Sequence, residues 1–457
     1  MSEKKDLSRL IILGAGASVD VGVYPTGAQF IEVAEKVLPM FREAFSHENL
    51  SLKHCLNETH LKHCNYISNQ DLHPIENWLQ KIIQARPSSI DSYISSISNK
   101  KEQSFLKSLI LSIVLNCTSY SESYSEYFRQ NWYFSVWQLI SSKISDCKND
   151  DEKLARLRED SFLKSFKIIT FNYDVSLEFY LWQRIRDNFD LEDQARNFFK
   201  TLATNFITHI YGQILDADQI SENRSLQGLM SWFEKLKGDF RPKNTTLPRV
   251  YKNISELLHH QDKHEIENNL PAQYSAKIDI AKDPSKAHLE LRNFFYSSIL
   301  EMSCFFLSDQ RSEFRNRIKV IGEEREKKIS SITQNNWDVI YILGYGFDET
   351  NNEALGLKNI KYQKGCFVTN YASDESKINQ RLERLILDEL LSRNYGRVGN
   401  PIIRKVGDPL GAKKYFVPLI SHKSVSHALK EEFSLLENPD SPLIIETNLT
   451  PYLELKK

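Results

Sequence analysis

Three short stretches carry residue types that could do chemistry. The apolar run Leu10-Ile11-Ile12-Leu13 breaks into Gly14-Ala15-Gly16-Ala17-Ser18, the pattern by which a buried parallel strand turns into a helix whose first amides face an anion. Glycine at 14 and 16 permits a sharp turn and lets backbone approach a phosphate without Cβ in the way. The same pattern also ends ordinary strands, so both readings stay open on these residues alone. Phe166-Lys167-Ile168-Ile169-Thr170-Phe171 is a second strand-like run and ends in Asn172-Tyr173-Asp174. Alternation turns Thr170, Asn172 and Asp174 to one side. A neutral amide offers a donor and an acceptor at fixed geometry and can orient a water or a hydroxyl without charging. The competing reading of this stretch is an Asx-type turn that caps the next helix. Trp337 to Leu343 is a third apolar run, ending in Gly344-Tyr345-Gly346-Phe347-Asp348.

The rest of the chain must position these ends. At 457 residues it is long enough for two or more structural regions, because single cores stop growing near ~250–300 residues. Lys and Arg number 59 against 60 Asp and Glu, leaving a net charge of −1, so the totals support neither a nucleic-acid nor a membrane-surface role. Six cysteines without a Cys-x-x-Cys pair, and a polar start at Met1-Ser2-Glu3-Lys4-Lys5-Asp6, give the expectation of a reducing cytoplasm. The stretch from Phe294 to Leu307 is interrupted by Ser297, Ser298, Glu301 and Ser303; it falls short of the ~20 residues of a membrane span and reads as a buried helix.

Helical spacing covers Ala28 to Phe45, Pro74 to Ile83, Ser104 to Leu115, Tyr124 to Ile144, Asp151 to Arg158 and Val175 to Asn188. Phe206 to Tyr211, closed by Gly212, and Gly365 to Asn370, followed by a helix from Glu375 to Ser392, complete five β-rich runs separated by helices. That alternation predicts an α/β protein with an open, Rossmann-like parallel sheet, on which ligands bind at the carboxyl ends of the strands. The expected core comprises residues 1–45, 166–215 and 336–400, interrupted by mainly helical insertions at 46–165 and 216–335. Residues 401–457 form a C-terminal segment suited to interaction or oligomerisation.

Taken together, Gly14-Ala15-Gly16-Ala17-Ser18 with Gly22-Val23-Tyr24-Pro25, Thr170-Phe171-Asn172-Tyr173-Asp174 with Leu177-Glu178, and Leu343-Gly344-Tyr345-Gly346 with Asn351 and Asn352 resemble the sirtuin-like superfamily. More closely they resemble the bacterial sirtuin-like domain of antiphage defence proteins that destroy NAD. The resemblance covers about 170 residues, in pieces. It implies a sirtuin-like core in which Gly14, Ala15, Gly16 and Ser18 hold the NAD phosphates and the loop around Pro25 covers the nicotinamide side. It further implies that Asn172 is the catalytic asparagine, that Asp174 contacts the nicotinamide or its ribose, and that Gly344 and Gly346 receive the adenosine ribose, with Asn370 at the adenine end. The implied activity is hydrolysis of NAD, as substrate, to nicotinamide and ADP-ribose in abortive infection. Such an enzyme needs restraint, which the resemblance implies comes from homo-oligomers and from a partner such as a HerA-type ATPase or an Argonaute. Trp78, Trp132, Trp137 and Trp232 in the insertions are candidate interface anchors, with core packing the commoner fate of such residues.

One position departs from the family pattern. The histidine expected immediately before Gly212 is replaced by Tyr211, and His209 stands two residues earlier. Residues two apart in a strand share a face, so His209 is the candidate catalytic base, titrating near neutrality, with Tyr211 packing or hydrogen-bonding beside it. The alternative is a core histidine satisfied by backbone. The zinc module of sirtuin deacylases, with its two Cys-x-x-Cys pairs, is missing, which weakens a deacylase reading, and no metal is expected. His54-Cys55, His60 and His63-Cys64 have zinc-type side chains at a spacing that matches no established tetrahedral site. A dehydrogenase fingerprint would need glycine where Val19 stands. The reading of a different class is a regulatory or sensor subunit that binds a nucleotide without cleaving it.

Overall fold

Arg9–Leu13 (β1) is buried along its whole length and lies between two parallel partners. Their residues show why: β1 is followed in register by Phe166–Thr170 (β2) on one side and by Asn336–Leu343 (β4) on the other, both nearly continuous apolar runs, as strands covered on two faces require. The computed structural model describes residues 7–19, 21, 24–45, 69–87, 89–121, 132–222, 312–319, 326–357, 360–369 and 419–421, with 296, 299, 300, 302, 303, 306 and 307. In it Ile207–His209 (β3) pairs with β2, Lys361–Thr369 (β5) with β4, and Leu419–Ser421 (β6) with β5. All pairs are parallel, and the strand order is β3-β2-β1-β4-β5-β6.

This is the expected parallel α/β sheet with one strand more than the five anticipated. The sixth comes from the segment after residue 400 that sequence reading set apart from the core. Because the chain leaves β1 for β2 on one side and returns to β4 on the other, the order in which strands are added reverses between β1 and β4. Crevices outside the carboxyl ends of strands form at such a point. At the opposite edge the Ser8 amide and hydroxyl both donate to Asp338 Oδ2, at 2.8 and 2.9 Å, while the Asp338 amide lies 3.0 Å from the Ser8 carbonyl oxygen. This clamp fixes the register of β1 against β4.

Side chains of β1 alternate between two apolar layers. Leu10 and Ile12 pack with Ile169, Ile340 and Ile342 on one face. Ile11 and Leu13 pack on the other with helices drawn largely from residues 27–206. These helices are Ala15–Val19 (α1), Gly27–Phe45 (α2), Asn69–Ala85 (α3), Ile90–Ser96 (α4), Lys100–Ser121 (α5), Trp132–Ile144 (α6), Asp150–Leu157 (α7), Asp160–Leu163 (α8), Ser176–Asp187 (α9) and Glu192–Phe206 (α10). Two short helices, Ala217–Glu222 (α11) and Ser312–Arg315 (α12), precede Glu326–Thr333 (α13), and Glu349–Leu355 (α14) follows β4.

The first insertion therefore shares one apolar layer with the sheet. Trp78, Trp132 and Trp137 are buried in that layer, and the Trp132 indole N–H donates to the Ala17 carbonyl at 3.0 Å. Of the four tryptophans these three are core residues in this structure, while Trp232 lies outside the described residues. Tyr296, Ile299, Leu300, Met302 and Phe306 are buried in the same layer, matching the buried helix expected there. The helix at Glu375 to Ser392 lies outside the described residues. Among the described residues no helix is long and apolar enough to cross a membrane.

Candidate functional site

The carboxyl ends of β1, β2, β3 and β4 bring most of the singled-out residues together. At the end of β1, Gly14 and Gly16 touch the loop that follows β4. A Cβ on Gly14 would lie 2.5 Å from the Gly344 carbonyl oxygen, and one on Gly16 would lie 2.9 Å from the same atom. Gly344 itself has φ +58°, and its added Cβ would lie 2.1 Å from the Ala17 amide nitrogen. No L side chain fits there. The turn's amides are also engaged: Gly14 N–H donates to Leu343 O at 3.0 Å, Gly16 N–H to Gly344 O at 2.9 Å, and Ala17 N–H to Gly14 O at 3.0 Å. The glycines expected to admit a phosphate thus serve first to seat one loop on another. Ala15 is half-buried on the same turn, and Gly346 faces open space, with nothing within 4 Å of an added Cβ.

Asn172, 9% exposed, makes three hydrogen bonds as donor. Its amide N–H donates to Thr170 Oγ1 at 3.0 Å, and its side-chain Nδ2 donates to Gly14 O at 3.1 Å and to Ser18 Oγ at 2.7 Å. A carbonyl can only accept, so the contact to Gly14 O fixes which end of the amide is nitrogen. Asn172 Oδ1 accepts from no described residue, and it is the functional atom this network leaves available.

Ser18 passes the network on, donating to Asp174 Oδ2 at 2.6 Å. Asp174 Oδ1 accepts from the Ser176 amide at 3.1 Å and from the Ser176 hydroxyl, which in turn is hydrogen-bonded to Tyr133. Both carboxylate oxygens of Asp174 are therefore occupied within the protein. Burial pushes its carboxyl pKa up, against the hydrogen bonds from Ser176 and Ser18. Asp174, expected at the nicotinamide or its ribose, ties α9 to the β1 loop through Ser176 and Ser18.

His209 is enclosed too. Its Nδ1 donates to the Asn172 carbonyl at 2.8 Å, and Nε2 lies 2.5 Å from Glu178 Oε1. Burial pulls the imidazole pKa down, but the Glu178 carboxylate and the hydrogen bonds outweigh it and the net shift is upward. Both ring nitrogens are thus engaged within the protein, Nδ1 by the Asn172 carbonyl and Nε2 by the Glu178 carboxylate. The expected catalytic base therefore stands in direct contact with the Asn172 main chain.

Tyr211 does face the same edge. Its hydroxyl donates to Asn351 Oδ1, and its ring meets Phe171 edge-on with centroids 5.6 Å apart. Gly344 is pinned by its amide N–H, which donates a hydrogen bond to Thr369 Oγ1 at 2.8 Å. Asn370, the next residue, lies outside the described residues, and Pro25 is half-buried just before α2. Among the described residues no group of three or more His, Cys, Asp or Glu could hold a metal ion; His54 to Cys64 lies outside them.

Sequence reasoning missed Asp91 on α4. The Tyr173 hydroxyl donates to Asp91 Oδ1, which brings an acid from the first insertion to the site. No local spacing marks it, because the contact joins residues 82 positions apart. Comparison of the chain with protein-family models, with curated proteins and with solved structures returned no match.

Proposed function

We propose that the protein hydrolyses NAD to nicotinamide and ADP-ribose at the carboxyl ends of β1, β2 and β4. The observation that carries this reading is the presentation of Asn172: both Nδ2 hydrogens are engaged, by Gly14 O and Ser18 Oγ, so the side chain offers a fixed, neutral acceptor. Cleavage of the nicotinamide–ribose bond sends the bonding pair to the ring nitrogen, which leaves neutral, and charge builds on the sugar. A water then adds to the anomeric carbon and releases its proton to bulk water. An acceptor aimed at that water or at a ribose hydroxyl stabilises the charge as it develops. His209 acts through Asn172, holding its main chain from below, and Glu178 fixes the imidazole.

The test is incubation of NAD with the protein, alone and with the product of a neighbouring gene, with nicotinamide and ADP-ribose measured by chromatography. Release by wild type, reduced about a hundredfold or more in Asn172→Ala, supports the reading. Unchanged release in Asn172→Ala overturns the assignment of Asn172.

A second reading draws on the enclosure of His209. A site without a free imidazole nitrogen suits a module that binds the nucleotide as a signal and leaves it intact. Binding of NAD with no nicotinamide released under either condition favours this sensor. In both readings the insertions are the surfaces on which a regulatory partner, or a second copy of the chain, would act.

A further inference from the structure

The first insertion enters the hydrogen-bond network of Asn172 through two adjacent side chains. Trp132 and Tyr133 open α6, and both are buried. The Trp132 indole donates to the Ala17 carbonyl, next to Ser18 in the turn after β1. The Tyr133 hydroxyl is hydrogen-bonded to Ser176 Oγ, in the first turn of α9. The two rings meet edge-on with centroids 4.5 Å apart, and the Tyr180 ring of α9 lies 5.7 Å from that of Tyr133. These contacts fix where the Tyr133 hydroxyl lies.

Each hydroxyl carries one hydrogen, which gives the network a direction. Asn172 Nδ2 can only donate, so Ser18 Oγ accepts from it, and the single hydroxyl hydrogen of Ser18 goes to Asp174 Oδ2. The Ser176 hydroxyl gives its own hydrogen to Asp174 Oδ1. Between Tyr133 and Ser176 the donor is then Tyr133. Burial and the nearby Asp174 charge push the Tyr133 pKa up, so this hydroxyl keeps the proton it donates. Two chains of bonds, one from Tyr133 and one from Asn172, thus run inward to the same buried carboxylate. Donors in series polarise one another and favour the charged acceptor at their end. Without the Tyr133 hydroxyl the carboxylate shifts toward its protonated form, which can donate to Ser18 as well as accept from it. The second hydrogen of the Asn172 amide then loses its fixed partner, while the first stays on Gly14 O.

We propose that Tyr133 is a positioning residue for Asn172, acting through Ser176, Asp174 and Ser18. The first insertion thereby supplies part of the support of the site, and a partner that moves α6 would reach Asn172 by this route. The consequence for chemistry rests on the NAD reading above; the positioning itself does not.

Hydrogen exchange of the Asn172 side-chain amide, followed by NMR of the full chain carrying isotope-labelled asparagine, reads the positioning without any substrate. The signal is identified by its loss in Asn172→Ala. In Tyr133→Phe, which keeps the ring, exchange should be about threefold to tenfold faster, the worth of one hydrogen bond. Ser176→Ala should also speed it, and Tyr133→Phe should add nothing in the Ser176→Ala background. Unchanged exchange in Tyr133→Phe overturns the proposal. An equal effect of Tyr133→Phe in both backgrounds does so too, because it marks a packing role. Should Tyr133→Phe fail to fold, Ser176→Ala alone decides, and unchanged exchange there is equally fatal. Where wild type cleaves NAD, kcat of Tyr133→Phe should fall by the same factor with KM little changed. Faster exchange in the variants without nicotinamide release by wild type removes the NAD reading and keeps the positioning role. NAD cleavage with exchange and kcat unchanged in Tyr133→Phe does the reverse.

Discussion

The His209 imidazole holds the Asn172 main chain, with Nδ1 donating to the Asn172 carbonyl at 2.8 Å, while its other nitrogen is closed off by Glu178. The two residues that sequence reasoning paired as catalyst and base are therefore hydrogen-bonded to each other.

Removing Glu178 should show this in stability. Glu178→Gln leaves a buried imidazole without its counter-charge, a loss of about 3–5 kcal/mol when a buried pair is broken. An imidazole whose pKa is raised by folding contributes stability that is fully present below its ordinary value near 6.5 and lost as pH rises through the raised one. The penalty of Glu178→Gln should therefore be larger at pH 6 than at pH 9 in urea denaturation. Equal penalties would mean that His209 is neutral in the fold.

Ser18 links two network members through one oxygen. Ser18→Ala should leave the Asn172 amide and Asp174 Oδ2 each short of a partner, at about 1–3 kcal/mol per buried group. If NAD is cleaved, kcat should fall about tenfold or more with KM little changed, because the loss lies in how Asn172 is aimed. A purely packing role would lower stability and leave kcat alone.

The three loop glycines should separate cleanly. Gly344→Ala combines a left-handed backbone with a Cβ 2.1 Å from the Ala17 nitrogen, and should destabilise by about 2–4 kcal/mol or prevent folding. Gly14→Ala meets backbone at 2.5 Å and should behave similarly. Gly346→Ala, with nothing within 4 Å, should stay within about 0.5 kcal/mol of wild type. Thermal denaturation of the three variants side by side checks the order.

Asp91 should make the fold lose stability as pH rises from about 4 to about 8. Burial, with Asp348 adding to it against a backbone hydrogen bond, pushes its carboxyl pKa up to about 8. A raised carboxyl favours the folded state at low pH, and that contribution declines as pH climbs from the ordinary value of 3.8 through about 8. Asp91→Asn should flatten the fall in stability over that range, with Asp348, Tyr173 and Tyr211 still facing the position. A slope unchanged by the substitution would show that Asp91 is ionised in the fold throughout.

The sheet was legible because buried parallel strands must be apolar on both faces, and five runs that end in Gly, Asn or Asp meet that demand. Leu419–Ser421 escaped notice because three residues at a sheet edge carry too little pattern. The helix Glu192–Phe206 was also passed over, although its buried Ala195, Phe198, Phe199 and Leu202 follow helical spacing. Within the site, residue types indicated which loops meet but not which atoms are already occupied. The engagement of Asp174 and His209 is not visible in sequence because their partners Ser18 and Glu178 lie 156 and 31 residues away. Asp91 was invisible for the same reason.

The clamp between Ser8 and Asp338 joins positions 330 residues apart, and the site straddles the same divide. At synthesis rates of about 5–20 residues per second, roughly 15 to 65 s separate the emergence of β1 from that of β4. Until β4 arrives, the Gly14 to Ser18 turn has no loop to seat on, and Tyr211 has no Asn351 to bond. A nascent or truncated chain lacking β4 therefore cannot bring these loops together, so the arrangement around Asn172 is completed only once the chain has been made past β4.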